Sequence, residues 1–209
     1  MPDQDGISFG GMTFSYIAKT MDAVTPGPTP SDSFASKQLY YPHCTFADAP
    51  QLDVLLVPGG LGSVPWPYLP EAIQFIQRCY SGYDQHRPLR YLISVCTGAG
   101  LLAKAGVLDG RRATTNKAAW DDITALGPET HWVAQARWVA AGNVWTTSGV
   151  SAGTDGMIAM LSKIFHGHSD IMDQVVTSME YSRATDPDND PYASINGCSD
   201  VLPLDHPPT

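Results

Sequence analysis

Two short apolar runs, each stopped by glycine, constrain this 209-residue chain more than any other feature. Asp53–Val57 runs into Pro58-Gly59-Gly60, and Arg90–Val95 runs into Cys96-Thr97-Gly98. Runs of this length without polar alternation read as strands buried on both faces, as in a parallel sheet. The segments between and after them carry helical spacing. Pro70 suits a helix start, Ile73, Ile76, Cys79 and Tyr80 form an apolar stripe, and Gly82 stands past its end. Another helix begins at Gly98, almost directly after the second run. Two further stripes follow, at Met157, Met160, Leu161, Ile164 and Phe165, and at Ile171, Met172, Val175, Val176 and Met179. Residues 137–140 and 143–147 flank Ala141-Gly142 as a hairpin, and Met12–Lys19 and Gln38–Tyr41 are strand-like. The expected fold is α/β with a largely parallel central sheet.

The charge balance narrows the partners. Twelve basic against 21 acidic residues give a net charge of −9 with no basic stripe, which argues against a nucleic-acid partner. No apolar stretch approaches a membrane span, and residues 1–11 form a short polar leader without a basic or apolar region, so we expect no membrane association and a cytoplasmic protein. Cys44, Cys79, Cys96 and Cys198 show neither a CxxC pair nor zinc-ligand spacing, which fits a reducing compartment. We expect one domain over residues 12–183 and a Pro-rich tail over 184–209, loosely held.

Ser94-Val-Cys-Thr-Gly-Ala99 has the layout of a nucleophile elbow: a sharp turn lifts the nucleophile above the sheet, and small residues behind it let helix and strand approach. A thiol at a helix start sits near free N–H groups that favour the thiolate. Ligands of such sheets bind at the carboxyl ends of the strands, so the Gly59–Gly60 loop and the Cys96 turn fall side by side if their strands are neighbours. Backbone N–H groups of Thr97 and of the Gly59–Gly60 loop then converge on developing negative charge. Cys79, on a helix stripe, reads as core; Cys44 and Cys198, in loop-like segments, read at most as modifiable surface thiols.

Val57-Pro-Gly-Gly60, Ser94-Val-Cys-Thr-Gly-Ala99, the segment from Ala105 to Thr115 and Gly149-Val-Ser-Ala-Gly-Thr-Asp155 occur in the order expected of the ThiJ/PfpI superfamily, which the chain resembles over residues 12–181. The Cys-Thr-Gly-Ala form of the elbow is most similar to the isonitrile hydratase-like branch. The resemblance implies a three-layer α/β sandwich of flavodoxin-like, class I glutamine amidotransferase-like type, commonly a homodimer, with no metal or organic cofactor. It implies that the partner is a small organic isonitrile. Cys96 attacks its terminal carbon to give a thioimidate that water resolves to an N-substituted formamide. Thr97 assists through its N–H and hydroxyl, Gly59 and Gly60 line the oxyanion side, and the addition needs a proton from a nearby acid.

The sequence departs from that pattern in two places. Where family members commonly carry histidine after the Thr-Thr pair, Asn116 stands; it donates a hydrogen bond but shuttles no proton. The family's first strand, with the acid it delivers to the cysteine, should precede Met12, where Asp3 and Asp5 are the only acids. A missing strand would leave a sheet edge or gap. These departures motivate a rival expectation, a degenerate or oxidation-sensing scaffold, beside other thiol chemistry of amidase or glyoxalase type.

Other features read as structural. Asp155 suits helix-start stabilisation, with a pocket role as the alternative. His166 and His168 fall between two helices rather than in a metal site. Asp186–Asp190 opens like a calcium loop, but Pro191 and Gly197 stand where glycine and glutamate belong. Trp120, Trp132, Trp138 and Trp145 read as hairpin and core packing ahead of a pocket wall. Residues 65–68, after the glycine loop, are the expected substrate-contacting segment.

Overall fold

The computed structural model describes residues 12–25, 38–60, 69–167 and 169–204. In chain order, β1 (Ile17–Ala18) pairs in parallel with β2 (Cys44–Thr45), apart from the main sheet. Of the two strand-like stretches expected near the start, Met12–Lys19 supplies only this two-residue strand and Gln38–Tyr41 only a bridge from Val24 to Tyr40. The main sheet begins with β3 (Val54–Val57), followed by α1 (Pro70–Ser81) and β4 (Tyr91–Val95). Pro70 opens α1, and Gly82 at φ 82° ends it, where a residue with Cβ would be strained. A single 3-10 turn (Cys96–Gly98) joins β4 to α2 (Ala99–Lys104).

Next come β5 (Arg112–Ala113), α3 (Trp120–Thr124) and β6 (His131–Trp132), with β5 and β6 parallel. The expected hairpin is β7 (Trp138–Ala141) and β8 (Val144–Thr147), turning on Gly142. Three helices complete the described chain: α4 (Val150–Ile164), α5 (Ser169–Ser178) and α6 (Pro191–Ile195). The sheet order is β3-β4-β8-β7, parallel except for the hairpin strand β7. The fold is thus α/β with a mostly parallel sheet, as expected.

Alternation along β4 explains the three layers. Leu92 packs with Phe75 and Ile76 of α1 and with Leu101 and Leu102 of α2. Ile93, next in sequence and on the opposite face, packs with Trp138, Trp145 and Met160 of α4. Both are fully buried, each worth about 1.5–3 kcal/mol. All four tryptophans weighed above lie in the core.

Several expectations are corrected. The β3 strand is not buried on both faces: it pairs only with β4 among the described strands, and Val54 and Leu56 are each 38% exposed. An apolar run records what a strand can bury, not how many neighbours it has. Cys44 is no surface thiol but a buried residue of β2, its pKa raised first by burial and then by Asp48. The last stripe is only partly covered, since Met172 is buried while Ile171, Val175 and Met179 are exposed. The tail is not loose, at least to residue 204. Pro187 accepts from Arg137 N, Asp190 N donates to Gln135 O, Val201 and Trp132 exchange both backbone bonds, and Leu204 N donates to Pro128 O. Asp190 and Ala193 are buried in it. Because β7 runs antiparallel to β8, Arg137 stands at the same end of the sheet as Cys96, and the tail crosses that end.

Candidate active site

The turn after β4 owes its shape to three missing Cβ atoms. Val95 is still extended (φ −116°, ψ 133°), but Cys96 takes φ 59°, the left-handed region that costs a cysteine roughly 1–2 kcal/mol. A Cβ at Gly98 would run into the carbonyl oxygens of Val57 and Pro58, the latter at 2.8 Å. One at Gly59 would lie 2.7 Å from Thr97 N and 2.8 Å from Cys96 Cβ, and one at Gly153 of α4 would lie 2.7 Å from Val95 Cγ1. Elbow and glycine loop therefore pack with their backbones in close contact, and α4 closes on the Val95 side chain, which brings Gly59, Gly60, Cys96 and Thr97 together.

Hydroxyls brace this turn. Gly60 N donates to Thr97 Oγ1 at 3.0 Å, so the loop glycine anchors the threonine side chain. Thr115 Oγ1 donates to Cys96 O at 3.0 Å, and Thr147 Oγ1 donates to Ser94 O at 3.1 Å. Ala99 N also donates to the Cys96 carbonyl, fixing the start of α2. Cys96 is half-buried and Thr97 is buried. Among the described residues no carboxylate or imidazole hydrogen-bonds Cys96 Sγ.

Asn116 follows Thr115, which braces this turn, but its side-chain oxygen accepts from Ala119 N at 3.2 Å, ahead of α3. Its carboxamide thus holds the approach to a helix. Asp3, Asp5, residues 65–68 and His168 fall outside the described residues. Asp155 is corrected from helix-start stabiliser to the centre of a buried network. It lies in the second turn of α4, its Oδ2 meets Arg137 Nη2 at 2.6 Å, and its Oδ1 accepts from Tyr181 Oη at 3.2 Å and Ala184 N at 3.1 Å. Burial, then the Asp155 charge, raises the Tyr181 pKa.

The sequence reading missed Thr115, Thr147 and Lys117. The threonine pair was visible only as part of a motif, and nothing local marks a hydroxyl that braces a carbonyl 19 residues away. Lys117 carries no sequence signal at all, yet it is 3% exposed and donates to Thr114 Oγ1 at 2.7 Å and Ala136 O at 2.9 Å. Chemically, the site presents a half-buried thiol on a strained backbone, held by close packing and neutral hydroxyls.

Comparison with known proteins agrees with this geometry. The model of the DJ-1/PfpI family matches residues 22–165. An isonitrile hydratase from Pseudomonas putida is 34% identical over 160 residues, covering 74% of this chain and 65% of its own length. A ThiJ/PfpI family protein from Pseudomonas syringae has 27% identity and a TM-score of 0.63 over 80% of this chain and 62% of its own. A DJ-1 superfamily protein from Salmonella typhimurium, 19% identical, shares the fold at a TM-score of 0.61 over 80% of this chain and 82% of its own. The chain spans less than two thirds of the length of the first two. No helix among the described residues is long and apolar enough to cross a membrane. The elbow, the glycine loop and the family match over most of the chain lead to one assignment: the chain belongs to the DJ-1/PfpI family.

Proposed function

We propose that this protein is an isonitrile hydratase-like hydro-lyase that converts a small organic isonitrile to an N-substituted formamide through Cys96. The observation that carries the reading is the left-handed Cys96 (φ 59°), lifted out of the sheet between Gly59 and Gly98, in a chain 34% identical to an isonitrile hydratase.

The isonitrile carbon is a soft electrophile suited to a thiolate. Sulfur bonds to that carbon, the same carbon takes a proton, and the product is a thioimidate, R–N=CH–S–Cys96. Water then adds to the carbon while the nitrogen takes a proton, and collapse expels the Cys96 thiolate and releases R–NH–CHO. The balance is isonitrile plus water to formamide, with no oxidant and no cofactor. Thr97 contributes its N–H and hydroxyl beside the sulfur, Gly59 gives the close approach, and Gly60 anchors the hydroxyl. In this reading Asn116, next to the bracing Thr115, offers the substrate an amide N–H and no titrating proton. The same reading makes the protein a cytoplasmic homodimer, which light scattering on the purified chain tests for the dimer.

Incubation with cyclohexyl isocyanide and detection of N-cyclohexylformamide tests the activity. Formamide from the wild type and none from Cys96→Ala is expected; equal formamide from both would falsify the mechanism. The absence of a carboxylate or imidazole on Cys96 Sγ among the described residues favours a second reading, a redox-sensing or non-catalytic scaffold. Selective peroxide oxidation of Cys96 on intact mass, without turnover of isonitrile or of methylglyoxal to lactate, supports it.

A further inference from the structure

The segment from Thr114 to Lys117 touches two places at once. At one end Thr115 Oγ1 bonds the Cys96 carbonyl, and Thr114 N donates to Thr146 Oγ1 at 2.8 Å on β8. At the other, the Lys117 ammonium is closed in by the tail. Its Nζ bonds Thr114 Oγ1 and Ala136 O, sits 4.7 Å from the Trp120 ring centroid, and lies 3.8 Å from Asp190 Oδ2. Cys198 Sγ donates to the Lys117 carbonyl at 3.4 Å, and Trp120 Nε1 donates to Ser199 O at 3.0 Å. Residues 184–204 thus form a strap whose inner anchors converge on one lysine. Asp190 is 1% exposed, and among the described residues its Oδ2 accepts no hydrogen bond, so Lys117 is its compensating charge.

We propose that Lys117 is a positioning residue: it locks the 184–204 strap onto the threonine segment that braces the Cys96 turn, so that release of the strap loosens that turn. The proposal rests on the reading of Cys96 as the reacting thiol, but its test uses no isonitrile.

The lock is linked to protons. The titratable groups facing Lys117 are Asp190, Cys198 and Asp200, all on the strap; Asp121 and Asp122 border the same groove of about 240 Å³. Burial lowers the Lys117 pKa to about 8 against the opposing pull of Asp190, Cys198 and Asp200. Opening the strap returns the ammonium to water and to its ordinary 10.5, so opening takes up a proton. Lower pH therefore favours the open strap, and pH above 8 favours the closed one.

Hydrogen exchange at the Asp190 and Val201 amides reports strap opening, since their partners, Gln135 O and Trp132 O, lie on the core. Iodoacetamide labelling of Cys96, read on its peptide, reports the turn. After correction for intrinsic exchange, wild-type opening is expected to fall about tenfold between pH 7 and pH 9. Lys117→Met, which loses the hydrogen bonds to Thr114 Oγ1 and Ala136 O that the lysine keeps whether charged or neutral, is expected to open more at pH 7, to lose the fall in opening between pH 7 and pH 9 and to label severalfold faster at Cys96. Asp190→Asn keeps the shape and the α6 cap, and serves if Lys117→Met does not fold: its strap opens more at pH 7, with a steeper pH dependence, and Cys96 labels faster. Lowered thermal stability with unchanged Cys96 labelling would mark a merely structural role and overturn the proposal. So would wild-type strap exchange that ignores pH after correction. A protein that hydrates no isonitrile can still show the expected exchange and labelling, so the two hypotheses fail separately.

Discussion

The Cys96 turn and the 184–204 strap share one end of the sheet and are held by opposite means. The turn is held by shape: Gly59, Gly98 and Gly153 admit backbone and side-chain atoms where a Cβ would clash, and neutral hydroxyls finish the work. The strap is held by charge and directed hydrogen bonds, with Lys117–Asp190 beneath it and Arg137–Asp155 at its root. The difference sets how each region fails. A shape-held turn fails when atoms are added; a charge-held strap fails when one partner is removed and the other stays buried.

The largest effect is expected at Gly98. Gly98→Ala places a methyl group against two backbone carbonyls that cannot rotate away, and a loss of at least about 4 kcal/mol in denaturant unfolding is expected. A loss below about 1 kcal/mol would show that the turn is not held by close packing. On the strap side, Arg137→Met strands the Asp155 carboxylate at 1% exposure and is expected to cost about 3 kcal/mol. The double variant Arg137→Met/Asp155→Leu should recover most of that; if it does not, the pair is not what roots the strap.

Alkaline titration sharpens the comparison further. Burial on α1 pushes the Cys79 thiol up to about 11, so the folded chain keeps a proton that the unfolded chain loses near its ordinary 9.0. Stability from Cys79 is complete below pH 9 and is lost as pH rises toward 11. Lys117 has the opposite sign: the folded chain gives up its proton near 8 and the unfolded chain near 10.5, so stability from this group rises across that interval. Cys79→Ala should therefore steepen the alkaline rise and Lys117→Met should leave only the fall, each read from urea midpoints between pH 7.5 and 10.5. Identical pH profiles in both variants would refute the assignment of signs. Smallest of all, Lys19→Ala removes an exposed ion pair with Glu71 and is expected to leave the melting temperature unchanged, unlike either buried pair.

Much of the shape-held region was legible in the sequence because its determinants are local. An apolar run followed at once by cysteine, threonine and glycine can hardly avoid a tight strand-to-helix turn, and Pro58-Gly59-Gly60 announces its companion. The hairpin at Gly142 and the helix between Pro70 and Gly82 were visible for the same reason. The charge-held region was not legible. Asp190 and Lys117 stand 73 positions apart, and a proline-rich polar segment looks the same whether its backbone bonds to water or to a core. The exposed side of β3 was hidden too, since Val-Leu-Leu-Val describes a strand's appetite for burial and not its place in the order. Asn116, expected to face the substrate, has its carboxamide oxygen on Ala119 N ahead of α3, a use that nothing in its local sequence announces.

The left-handed backbone at Cys96 bears on how such a protein changes over generations. Glycine adopts φ 59° without strain, and cysteine and glycine codons differ by a single nucleotide, so a chain about 1 kcal/mol more stable is always one mutation away. A lineage with no use for the thiol has every physical reason to take that step. Cys96→Gly, expressed and melted beside the wild type, measures how strong that pull is.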